Sequence, residues 1–428
     1  MEITNYNCRS LYLSDRLRMK QMTKKIWKFA WIVACFSALA SVGCTVQTYY
    51  VDATGGDDAN SGSSVEAAWR TMAKVNEQTF QPGDKILLKR GETWPEHLEI
   101  SEYADGTEAH PIIFSAYGNG EAPVIRRLTI RGDHIIFEHL IVDHNKEGGD
   151  AVRTRGAKHC VLRNMIIRNG LADGIDMADA DGSLIESCLI HHFMAGSFTE
   201  QADAHGIVAT DTQGLIIRNT EVHHVSGDSF QADPGRSPDI SDNILIENCH
   251  FWTSPLEKDF NDRWFAGQTP GENAIDTKVA KTEWESAKRM RITVRNIRAH
   301  GWINDAYIGN RAAFNMKEKI EAVFDGVTVY NCEIAFRLRG SRGNANNTIT
   351  NAVIHDCEKA VRAENRLSRL KIHNSTFGDN IGIDFQITGG DNSSTWDLRN
   401  NVFASGKPSV DNTGSDKAST DADFLHNR

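Results

Sequence analysis

The residues of this sequence best suited to chemistry are acids and bases that recur at fixed places in a repeated strand. Eight segments align on the small-residue turn before each: Asp150–Arg155, Asp173–Ala178, His205–Thr210, Asp228–Asp233, Asn273–Lys278, Ala312–Lys317, Ile334–Arg339 and Lys359–Glu364. The third position is always apolar (Val152, Ile175, Ile207, Phe230, Ile275, Phe314, Phe336, Val361), and the fifth is small or apolar. Strand side chains alternate faces, so these two positions point inward and the fourth and sixth point outward. The fourth reads Arg153, Asp176, Val208, Gln231, Asp276, Asn315, Arg337, Arg362; the sixth reads Arg155, Ala178, Thr210, Asp233, Lys278, Lys317, Arg339, Glu364. Neighbouring strands in a stack lie about 4.8 Å apart. Asp233, Asp276, Lys278, Asn315, Lys317, Arg337 and Arg339 are therefore expected to form one outward patch, acidic at one end and basic at the other. The bland alternative is a solvated face of weak salt bridges. Polar residues filling both outward columns over several coils favour a site.

Such a patch suits β-elimination in a uronic-acid chain. The sugar carboxylate must be neutralised, a base must take the neighbouring C5 proton, and the leaving oxygen needs a donor. Lys278 is the expected base, its pKa lowered by the nearby cations Lys317 and Arg339. Lys317 or Arg339 would serve as leaving-group donor or charge clamp, and Arg337 and Arg362 as carboxylate binders. Asp233 and Asp276 could hold Ca²⁺ through carboxylate oxygens, with Asp228 and Glu272 as reserves. Gln231, Asn315 and His205 are candidate substrate contacts. Trp264 would either stack on a sugar ring or anchor its own loop. Three alternatives stay open. A glycoside hydrolase would use two carboxylates among Asp176, Asp233 and Asp276. A C5 epimerase would share the first proton abstraction. A non-catalytic carbohydrate-binding protein would keep the loops and tolerate loss of Lys278. His191-His192 and His223-His224 read as surface or turn histidines before zinc ligands.

A column of this kind needs a repeated scaffold. From about residue 128 to 404 an alternating apolar stretch runs repeatedly into Asn, at Asn164, Asn219, Asn248, Asn296, Asn351, Asn374 and Asn400. Each unit is too short to be a domain and buries its apolar side chains only by stacking on its neighbours. A recurring Asn at one corner fits a turn that needs unusual backbone angles. The expected fold is all-β: a single-stranded right-handed parallel β-helix over residues 128–405. An N-terminal cap and first coils precede it over 45–127, and a loose polar tail follows over 406–428. In the cap, Tyr49–Asp52 reads as a strand and Trp69–Val75 as a short helix. Insertions between Cys188 and His205 and between Asn248 and Asn296 would wall a cleft.

The remaining features bound location and partners. Lys24, Lys25 and Lys28 precede the apolar run Ile32–Ala40 and then Ser41-Val42-Gly43-Cys44. This reads as a presequence over residues 1–44, with Cys44 either a lipid-attachment cysteine or part of an ordinary cleavage zone. The protein is expected to be exported, to touch a membrane only through such a lipid, and to be a monomer. A formal net charge of −10 leaves no excess of Lys and Arg to displace counterions from nucleic acid. It does not exclude an acidic polysaccharide, because binding depends on the local field. Beyond the presequence, Cys160, Cys188, Cys249, Cys332 and Cys357 are odd in number, widely spaced and without a CxxC, so they read as buried packing thiols.

The stretches YYVDATGGDDANSG (from Tyr49) and GDKILLKRGETW (from Gly83), with the presequence and the coil pattern, resemble the secreted parallel β-helix proteins of the pectate-lyase-like superfamily. The resemblance covers roughly residues 48–405. It implies the β-helix fold and an activity on polysaccharide. In the alginate lyases and chondroitinase B of this group, a Lys ends an outward strand, an acidic Ca²⁺ ligand lies five residues earlier, and an Arg occupies the next coil. Glu272-Asn273-Ala274-Ile275-Asp276-Thr277-Lys278 is similar in spacing. It departs in two places: Asn273 replaces the acid and Lys317 the Arg. By this resemblance Asp276 would have to be the calcium ligand.

Overall fold

The computed structural model describes residues 46–233, 241–278, 289–303, 308–317, 319–340, 345–365, 367, 369–389 and 396–412. The presequence lies outside them, as does the tail beyond residue 412. Parallel strands stack into three ladders. The first holds 13 strands, from Thr48–Val51 to Trp396–Arg399. The second carries Ile141–Asp143, Ile166–Gly170, Leu189–Phe193, Glu221–Val225, His250–Trp252 and Arg298–His300. The third carries the strands aligned from sequence, and the long strands Thr328–Arg339 and Val353–Glu364 bend through both. Each turn of chain thus contributes one strand to each ladder, as in a parallel β-helix.

The register agrees with the sequence alignment at every step. Val152 pairs with Ile175, Ile175 with Ile207, Ile207 with Phe230 and Phe230 with Ile275. Ile275 then pairs with Phe314, Phe314 with Phe336 and Phe336 with Val361. All eight are fully buried, as are Met177, Ala209, Ala232, Thr277, Met316 and Leu338 at the fifth position. A one-residue slip would turn this whole apolar set outward, so burial fixes the register.

The corner between the first two ladders runs through His139, Asn164, Ser187, Asn219, Asn248, Asn296, Gly326, Asn351, Asn374 and Asn400, all at positive φ. There the N–H of Asn164 donates to the Glu186 carbonyl, that of Asn219 to Glu247 and that of Asn296 to Asp325, so the ladder hydrogen bonds continue round the bend. The Asn296 amide also donates to the Asn248 side chain at 2.7 Å. The five cysteines are free and buried, and burial pushes the Cys160, Cys188 and Cys249 thiols up to about 12.

Two local expectations shift. The short helix is Met72–Asn76, and Trp69 is instead bridged to Val51. Thr71 sets the start: its hydroxyl accepts from the Lys74 N–H at 3.1 Å and donates to Asp58 at 2.7 Å, an N-cap that ends the extended segment before it. At the other end, Val410–Asn412 is a strand paired with Phe385–Ile387, inside the stretch expected to be loose.

Candidate active site

The outward face of the third ladder assembles most of the residues picked from sequence. Gln231, Asp276, Asn315, Arg337 and Arg362 stand on successive coils in one column. Lys278, Lys317, Arg339 and Glu364 extend it sideways. The Asp276 side chain is 1 % exposed, beneath two ammonium groups: Lys278 Nζ and Lys317 Nζ each donate to its Oδ2 at 2.8 Å. Three coils on, Glu364 gathers three guanidinium groups. Arg337 Nε lies 2.9 Å, Arg362 Nε 2.8 Å and Arg339 Nε 3.4 Å from its carboxylate. Five cations therefore face two carboxylates over neighbouring coils. Glu364 had no role in the sequence reading, because its function as a hub depends on three side chains converging from different strands.

The lysine pKa is corrected by this geometry. Burial acts first on Lys278 and lowers its pKa, but the Asp276 carboxylate outweighs it, and the ammonium is held above its ordinary value. Like-charged neighbours set the sequence-based expectation; the acid between them sets the result.

Three buried acceptors in the column, Gln231 Oε1, Asp276 Oδ1 and Asn315 Oδ1, accept no hydrogen bond from the protein. Buried acceptors of this kind call for a donor. Next to them, the fully buried Asp228 accepts from the Asn273 amide at 2.7 Å, and its backbone N–H donates to His205 Nδ1 at 2.8 Å. Burial raises the Asp228 carboxyl well above the carboxylate range and raises Glu272 as well, each further raised by neighbouring acids. Burial lowers His205 to about 4. Its Nδ1 is committed as an acceptor, so it is a neutral wall beside the column. Asp173, not singled out from sequence, is pushed up to about 7 by burial and by Asp150, Asp176 and Asp203.

Calcium fits these residues poorly. Asp233, Asp276, Asp228 and Glu272 do not bring their oxygens together: among the described residues, the one group of three or more His, Cys, Asp or Glu ligand atoms within 4.8 Å of each other is His192, His223 and His224. Asp276 Oδ2 already carries two ammonium groups, and Asp228 is tied to Asn273. Asp233 stands half-buried at the end of its strand beside Thr210, and Asp176 is paired with Arg155 on an earlier coil.

Trp264 is not a sugar platform. It is 0 % exposed, packs with Met194, Leu256 and Phe260, and donates from Nε1 to the Ala195 carbonyl at 3.1 Å. The insertion that carries it is fixed beside the column by Arg311, itself buried, which donates to the carbonyls of Pro270 and Gly271 at 2.8 Å each. Nothing in the local sequence marks Arg311 as such an anchor.

Comparison with known proteins agrees with the fold. Residues 121–254 match the family described as right handed beta helix region. A pectate lyase, Pel9A, superposes with a TM-score of 0.52 at 17 % identity, over 74 % of this chain and 78 % of that one. A mannuronic-acid-specific family 6 polysaccharide lyase from the human gut microbiota gives 0.51 at 14 % identity, over 90 % and 91 %. In sequence, 141 residues are 33 % identical to lacto-N-biosidase of Bifidobacterium longum subsp. longum; they make up 31 % of this chain and 9 % of that protein's length. The fold is the right-handed parallel β-helix seen in pectate-lyase-like proteins.

Proposed function

We propose that this protein is a carbohydrate-active enzyme that binds an acidic polysaccharide along the outward face of the third ladder and cleaves it by β-elimination. The observation that carries this reading is the excess of cations in the patch: Lys278, Lys317, Arg337, Arg339 and Arg362 against Asp233, Asp276 and Glu364. In a chain of net charge −10, that local excess favours an anionic ligand. Arg337 and Arg362 would hold a sugar carboxylate. Lys278 would remove the C5 proton once its ammonium has lost its own, and Lys317 would protonate the leaving oxygen. No step depends on a metal.

One observation favours a second reading, hydrolysis. Burial and Asp203 raise the pKa of Glu272, near Asp276, and a glycosidase pairs a carboxyl group of raised pKa with a second carboxyl group. The partial relative is named as a biosidase, which points the same way for that protein. The broader proposal is tested by incubating the purified protein with alginate, polygalacturonate, chondroitin sulfate and hyaluronan, with dextran as the neutral control. Cleavage of an acidic chain and not of dextran is expected; cleavage of dextran alone contradicts it.

A further inference from the structure

The outward face of the second ladder carries a different set of side chains. His191, His223, Trp252, His300, Tyr330 and His355 occupy one column on successive coils. His191 lies parallel to His223 at 4.9 Å, and His223 to Trp252 at 4.4 Å. Beside this column stand His192 and His224, stacked on each other at 5.1 Å. Consecutive strand residues would normally face opposite sides. Here His192 and His224 take positive φ (60° and 51°), a conformation unfavourable outside glycine. The bend places each imidazole beside its predecessor: His191 Nδ1 lies 2.7 Å from His192 Nδ1, and His223 Nδ1 lies 2.6 Å from His224 Nδ1.

These rings form the wall of a cavity of about 550 Å³, which the insertion closes with Glu257, Lys258, Asp259 and Phe260. Imidazole nitrogens offer lone pairs to a metal.

We infer that His192, His223 and His224, whose ligand atoms lie within 4.8 Å of one another, form a binding site for a divalent transition-metal ion. Nitrogen donors select zinc, cobalt, nickel or copper over calcium and magnesium. Around a tetrahedral ion with Zn–N of about 2.0–2.1 Å, ligand nitrogens stand about 3.3 Å apart, so modest side-chain rotation closes the set. Glu257 and Asp259 line the same cavity, together with Lys146, Arg168 and Lys258. The site lies on another ladder from the cationic column and does not depend on the proposed reaction.

The test uses tag-free protein freed of metal by chelator dialysis and titrated with Co²⁺, followed by its visible absorbance, then with Zn²⁺ in competition. Saturable binding of one ion per chain is expected. His192→Asn keeps a residue that accepts positive φ; it and His223→Gln should each weaken binding about 10-fold or more. His355→Gln, farther along the same stack, should not. X-ray absorption of the zinc form should show imidazole nitrogen in the first shell, a readout independent of variant folding. Absence of saturable binding, a first shell without imidazole, or unchanged affinity in the His192→Asn/His223→Gln double variant overturns the inference and leaves the histidines as a packing stack.

Discussion

In the proposed reaction Lys278 is the base. Its Nζ sits 2.8 Å from Asp276 Oδ2, and its pKa is raised. A base with a raised pKa is active only in its deprotonated fraction, which grows with pH. The kcat is therefore expected to climb from neutral into the alkaline range, without a plateau at neutral pH; a kcat that falls as pH rises would show that Lys278 is not the base. Lys278→Ala should lower kcat by about 10²-fold or more, with the circular dichroism spectrum unchanged. Asp276→Asn releases both ammonium groups and should move the rising limb of the same profile to lower pH. The sequence was enough to place Lys278 and Lys317 on one outward face with Asp276, but not to show that both ammonium groups meet its carboxylate. Reading down the sixth-position column placed Lys317 and Arg339 next to Lys278; the acid that decides the outcome stands in the fourth-position column, within reach of two long lysine side chains.

At the scale of elements, the corners and the insertion carry distinct energetics. Asn219 holds positive φ in the middle of the first corner. Asn219→Ala is expected to cost about 1–2 kcal/mol, seen as a lower thermal midpoint, whereas Asn219→Gly should cost less. Equal destabilisation by both would place the contribution of Asn219 in its side-chain contacts and not in its backbone angle. Trp264→Ala should cost about 3–5 kcal/mol, read from the urea midpoint, because the ring is the centre of the small cluster under the insertion. The corner was legible in sequence because positive φ restricts residue choice, and Asn repeats at the restricted place. The burial of Trp264 was not, since it depends on Met194 and Ala195 contributed by another insertion. The histidine corner at His192 and His224 was also hidden, because histidine is less diagnostic of positive φ than Asn or Gly.

At the scale of the whole molecule, the register of the β-helix turns widely spaced sequence segments into one surface. Asp276, Asn315, Arg337 and Arg362 are neighbours only because each coil buries the same two positions. The apolar third and fifth positions made that legible. The proposed binding of an acidic polysaccharide rests on the column's excess of cations, and such a field is screened by salt. The KM for an acidic polysaccharide should rise with ionic strength while kcat holds; a KM indifferent to salt would remove the cationic column from recognition. Adding calcium to chelator-treated protein is expected to leave turnover unchanged, since the carboxylates first weighed as its ligands do not converge.

The chemistry of the cut is decided by the new chain end. On the acidic polysaccharide that the protein cleaves, mass and ultraviolet absorbance of the products distinguish elimination from hydrolysis. The arrangement around Lys278 and Lys317 predicts an unsaturated uronate at each new non-reducing end, absorbing in the ultraviolet and lighter by one water than the hydrolysis product. New reducing ends with fully hydrated, non-absorbing partners would contradict it and assign the reaction to hydrolysis.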